Sequence, residues 1–105
     1  MSLADTNPND AINLAPELHE VLFEDDKVRV LKVTVPAGAH AEMHWHPRNF
    51  NYVLAGGKLR IKKDDGTTVE VELREGEVLP GDEVVHEVDN LGDTEVRTIE
   101  VEYKT

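Results

Sequence analysis

A chain of 105 residues with 39% apolar content suffices for one compact domain and is too short for two. Its 22 Asp and Glu against 11 Lys and Arg leave a net charge of -11, a field that repels nucleic-acid phosphates and anionic lipid. No cysteine is present and the only serine is Ser2, so disulfides, thiolate ligands, thiol nucleophiles and a Ser-His-Asp triad are all excluded.

Five histidines and the carboxylates remain to carry any chemistry. The apolar runs are far short of the ~20 residues that cross a bilayer. The start, Met1-Ser2-Leu3-Ala4-Asp5, has no basic region followed by an apolar stretch. The expectation is a cytoplasmic protein with neither a membrane nor a nucleic acid as partner.

In chain order, residues 1–16 are polar and punctuated by Pro8 and Pro16, which reads as an N-terminal arm. Residues 17–105 read as a single domain of short strands. Val21–Phe23 and Lys27–Val35 flank the turn cluster Glu24-Asp25-Asp26 and form a hairpin. Pro36-Ala37-Gly38 breaks that run, and a strand over His40–His46 follows, ended by Pro47-Arg48-Asn49. Phe50–Ala55 is the next strand. Leu59–Lys62 and Val69–Leu73 then alternate around Asp64-Asp65-Gly66, a hairpin turn in which glycine accepts positive φ. Glu77–Leu79, Val84–Val88 and Thr94–Tyr103 complete the series. No window carries a 3.6-residue apolar stripe, and turn signals every 8–12 residues predict an all-β sandwich or barrel. The surplus of acid reads as a solvated outer face.

His44-Trp45-His46 is the first candidate site. On a strand, residues i and i+2 share a face, so both imidazoles point to one side and Trp45 to the other. Regular alternation from residue 40 brings Glu42 to the histidine side. His86 lies between Val84 and Val88 on its own face, as either a packed core residue or a third ligand. His19 has no motif around it and reads as a surface residue. Phe50 and Tyr52 face away from Asn51 and read as packing residues, and Arg48 follows the Pro47 kink at the rim of the site.

The frame around these histidines resembles the cupin superfamily. Gly38 is followed after five residues by His44-Trp45-His46, and Tyr52–Gly56 matches the close of the first cupin motif. Pro80-Gly81, His86 and Asn90 match the second. The resemblance spans about residues 28–100 and implies a double-stranded β-helix, the jelly-roll cupin barrel. It implies a metal held by His44, His46 and His86, a small-molecule ligand in the barrel lumen, and a homodimer.

The chain departs from the pattern at the family's glutamate ligand. One count selects Asn49 and another Asn51, so an amide stands where an acid is expected. The second motif is also compressed, with three residues between Gly76 and Pro80. A three-histidine site leaves open positions on a divalent ion, and imidazole suits Fe, Zn, Ni or Cu; Mn would lose more from the missing acid. Glu42, Asn49 and Asn51 are the candidates for a fourth ligand or a supporting contact, and Arg48 for a substrate contact. The resemblance implies a metal-dependent dioxygenase or isomerase acting on small organic acids or diketones. The alternative is a non-catalytic cupin that binds a small molecule with no metal or an adventitious one.

Overall fold

The computed structural model describes residues 2–104. Two single-turn helices, α1 (Leu3–Thr6) and α2 (Ala11–Leu14), precede nine strands. The strands are β1 (His19–Glu24), β2 (Val28–Val35), β3 (His40–His46), β4 (Asn49–Ala55), β5 (Gly57–Lys63), β6 (Thr68–Leu73), β7 (Val78–Gly81), β8 (Val84–Asn90) and β9 (Val96–Tyr103). They form a five-stranded sheet in the order β1-β2-β9-β4-β7 and a four-stranded sheet in the order β3-β8-β5-β6. The pairings within both sheets are antiparallel, and together the sheets make a jelly-roll β-barrel.

Local chemistry sets the corners. Gly66 takes φ 89° between β5 and β6, its N–H donates to the Lys63 carbonyl, and the Asp65 carboxylate accepts from the Thr67 N–H. Gly38 takes φ 74° in the turn that delivers β3. Asn90 closes β8: its amide donates to the Val35 and Thr94 carbonyls and its oxygen accepts from the Gly92 N–H. That one side chain ties the ends of β2 and β8 to the turn before β9.

The apolar core lies between the sheets, built on Ala15, Leu18, Val35, Ala41, Leu59, Val88 and Val96. The sheets do not close completely on one another. A cavity of about 330 Å³ remains between them, and most of those core side chains also form its wall. The edge strand β1 leaves Val21, Leu22 and Phe23 exposed.

The segment before β1 lies against the barrel. Asp10 caps α2 through its carboxylate, the Asn9 carbonyl accepts from the Trp45 backbone N–H, and Asp10, Ala11 and Ala15 are fully buried. Asp10 grips the Arg29 guanidinium with both oxygens, at 2.8 and 2.9 Å. Among the described residues no helix is long and apolar enough to cross a membrane.

Candidate metal centre

The cavity brings together four of the five histidines. His44 and His46 share the inner face of β3, and His44 stands directly opposite His86 across the β3–β8 ladder. The His86 ring centroid lies 5.0 Å from that of His44 and 5.4 Å from that of His46. The fourth is His19. It was expected at the surface, but it is buried at the start of β1, with its ring 5.0 Å from His44 and 5.2 Å from His46. The strand carries no hint of this, because His19 is the only buried position on β1 and therefore produces no alternation.

Hydrogen bonds fix the faces of three rings. His19 donates from Nδ1 to the Ala15 carbonyl at 2.8 Å, His44 from Nδ1 to the Glu42 carbonyl at 2.5 Å, and His46 from Nδ1 to Glu102 Oε2 at 2.5 Å. A carbonyl or carboxylate oxygen only accepts, so each Nδ1 carries a proton. In the neutral rings the lone pairs therefore fall on the three Nε2 atoms. Ligand atoms of His19, His44 and His46 all lie within 4.8 Å of one another, and His44 Nε2 sits 3.0 Å from His46 Nε2. Two nitrogens bound to one ion at about 2.0–2.1 Å each stand roughly this far apart. At that distance the two Nε2 atoms share a proton in a hydrogen bond, and with that proton removed the converging lone pairs fit a divalent transition metal.

The structure places the remaining candidates differently. Glu42 does not join the histidines. A β-bulge sets Glu42 and Met43 opposite the single residue Glu87, so both Ala41 and His44 face inward and the Glu42 side chain is 75% exposed. It contributes its backbone carbonyl instead. Asn49 and Asn51 do line the cavity. Asn49 donates to the Pro47 carbonyl, Asn51 donates to the Asn49 oxygen at 3.3 Å, and Asn51 Oδ1 accepts from Thr98 at 2.8 Å. Arg48 is not part of the cavity wall; its guanidinium lies over the Tyr103 ring, 5.1 Å from the centroid. Lys63, Asp82 and Glu83 are charged residues that line the cavity beside His86 and Val84.

Carboxylates reach the site from an unexpected strand. Val96, Thr98, Glu100 and Glu102 share the inner face of β9, and both glutamates are buried. Glu100 Oε2 stands 2.8 Å from His46 Nδ1, and Glu102 Oε1 accepts from Arg29 Nε at 2.5 Å. A buried chain thus runs from Asp10 through Arg29 and Glu102 to His46. Burial alone would lower the His46 pKa, but Glu100 and Glu102 outweigh it and raise it to about 10. Burial lowers His44 and His86 to about 3 and His19 to about 4, with the neighbouring His46 charge adding to the effect. His46 also holds Glu100 below the usual carboxylate range despite its burial.

Two antiparallel sheets enclosing a cavity with four imidazoles in its wall define a β-barrel of the jelly-roll class. The family profile described as cupin domain matches residues 31–102, and the chain belongs to the cupin family. No match was found among curated proteins. Among solved structures, a cupin domain from Bordetella pertussis is 27% identical, with a TM-score of 0.74, over 83% of this chain and 92% of that one. An RmlC-like cupin from Methanocaldococcus jannaschii shares the fold at 15% identity and TM-score 0.64, covering 81% of this chain and 77% of its own. A cupin superfamily protein from Desulfitobacterium hafniense does so at 16% and 0.60, covering 82% and 75%.

Proposed function

We propose that this cupin binds a divalent transition metal through His44, His46 and His86, with His19 as a fourth imidazole, and holds a small organic acid or diketone in the adjoining cavity. The observation that carries the reading is the commitment of Nδ1 in His19, His44 and His46 to oxygen acceptors, which leaves Nε2 as the donor atom of each ring. When bound, the metal supplies Lewis acidity and open positions for chelating oxygen atoms. The aliphatic wall, including Leu59, Val88 and Val96, excludes water and packs the body of the ligand. Thr98 and Asn51 fix the amide edge presented to it. Dioxygenation or isomerisation is the reaction class this reading assigns, with Fe, Ni, Cu, Zn or Mn as the ion. A pair of identical chains joined through the exposed apolar edge of β1 completes the reading, supported by the exposure of Val21, Leu22 and Phe23.

Elemental analysis of untagged protein tests it. The wild type is expected to hold close to one transition-metal ion per chain, and His44→Ala and His86→Ala are expected to lose it while remaining folded by circular dichroism. Absence of metal from wild type reconstituted with each ion would overturn the metal reading and favour metal-free ligand binding in the same cavity.

A further inference from the structure

We propose that Glu100 and Glu102 supply, through the ring of His46, the negative charge that an all-histidine ligand set lacks, acting as charge-compensating positioning residues for the divalent cation. The inference rests on the metal-binding reading above.

Strand register provides the first argument. Asn49 and Asn51 stand on β4 where a carboxylate was expected, and their direct cross-strand partners on β9 are Glu102 and Glu100. The acid has not left this wall of the barrel. It reaches the wall from the neighbouring strand, one layer further from the Nε2 cluster, against the far side of the His46 ring.

The charge balance provides the second. Glu102 accepts an N–H on each of its oxygens, from Arg29 and from His46. Asp10 pairs with the Arg29 guanidinium through both of its oxygens. When His46 donates its Nε2 lone pair to a cation the ring is neutral, and the three buried carboxylates Asp10, Glu100 and Glu102 then face one buried cationic side chain, Arg29. Two negative charges in a low-dielectric interior are costly unless paired, and a divalent cation on the Nε2 face of His46 offsets both.

Glu100 provides the third. The single Nδ1 proton of His46 is taken by Glu102, and Glu100 Oε2 is left buried, 2.8 Å from the same nitrogen, without a hydrogen-bond partner. Unsatisfied buried carboxylate oxygens are rare and call for a reason. Here the oxygen directs its charge at the imidazole, which makes that ring a stronger donor to a cation at Nε2.

The test is a competition titration of the metal-free protein with Zn2+, Cu2+ and Cu+. Glu100→Gln is expected to weaken Zn2+ and Cu2+ binding about 10- to 100-fold, the range that supporting carboxylates of metal-bound histidines command. Cu+ should lose less, because an ion of half the charge needs less compensation. Glu100→Asp keeps the charge and should retain most of the affinity. Glu102→Gln should behave like Glu100→Gln; since it also disturbs Arg29, Glu100→Gln alone decides the matter if Glu102→Gln fails to fold. Unchanged Zn2+ affinity in Glu100→Gln, or equal losses for both copper states, would overturn the inference while leaving the metal site standing. A wild type that binds none of the three ions would overturn the metal-binding reading and this inference with it.

Discussion

His40 and His46 stand six residues apart on β3, and each sets Nδ1 against a carboxylate. His40 meets Asp89 at 2.7 Å, with Glu87 and Glu42 at 3.4 and 3.7 Å from its other nitrogen. His46 meets Glu102 at 2.5 Å and Glu100 at 2.8 Å. The partners are alike and the surroundings are not. The His40 side chain is 39% exposed and that of His46 is 3% exposed. In water the attraction is screened and competes with solvation, so the pair contributes little. In the interior the same attraction must be balanced by further charge, and the balancing recruits Arg29 and Asp10 from two other parts of the chain. A surface histidine pair is a local event, whereas a buried one organises the molecule around it.

Substitutions along the buried chain probe this contrast most strongly. Arg29→Met removes the buried guanidinium from between Asp10 and Glu102 and should destabilise the fold by about 3–5 kcal/mol, the cost of leaving buried charges unpaired. Urea unfolding measures it, and the loss should persist in about 1 M salt, where the screening length is near 3 Å. Pairing Arg29→Met with Glu102→Gln should recover part of that loss; a double variant as unstable as the sum of the singles would show that the two residues act independently.

Asp10→Ala should have the next largest effect, about 2–3 kcal/mol. It strips the bidentate contact from Arg29 and the cap from α2 while leaving the Arg29–Glu102 pair in place. Limited proteolysis is expected to cut residues 2–16 faster in this variant. Equal cutting rates would mean that Ala11 and Ala15 hold the segment without the ion pair.

The exposed pair should show the smallest effect, and its pH dependence has a definite sign. Asp89, opposed by slight burial, raises the His40 pKa above 6.5. The protonated form therefore favours the folded state, and the contribution is present below pH 6.5 and disappears as pH rises through the folded pKa. His40→Gln should cost roughly 0.2–1 kcal/mol at acidic pH in low salt and nothing at about pH 9 or in high salt. A loss that persists at high salt would place His40 in the same regime as His46.

Most of the fold was legible because strand alternation and glycine turns are local. The hairpin at Asp64-Asp65-Gly66, the strand holding His44 and His46, and the position of His86 follow from period-two spacing and motif. What escaped depends on contacts between distant segments. On β9 the alternation was itself readable, since Val96 and Thr98 share parity with Glu100 and Glu102. The expectation that charge faces water overrode it, and that expectation holds only for charges without buried partners. Arg29 has the same parity as Leu31 and Val35 and was hidden by the same assumption. Glu42 was misplaced because the β3 bulge, which reverses the alternation, has no sequence signature of its own. Asp10 and His19 come from segments whose burial is set by docking onto the barrel, which no periodicity encodes.

The cavity and the hydrophobic core share one set of side chains. Leu59, Val88 and Val96 hold the sheets together and also line the space between them. Any change in the size of the chamber therefore acts directly on foldability: a larger residue at any of these positions narrows the chamber and crowds the packing, and a smaller one widens the chamber and loosens it. Variants of this barrel with a resized chamber are thus expected to differ in thermal tolerance as well, and any molecule bound there would become part of what keeps the protein folded.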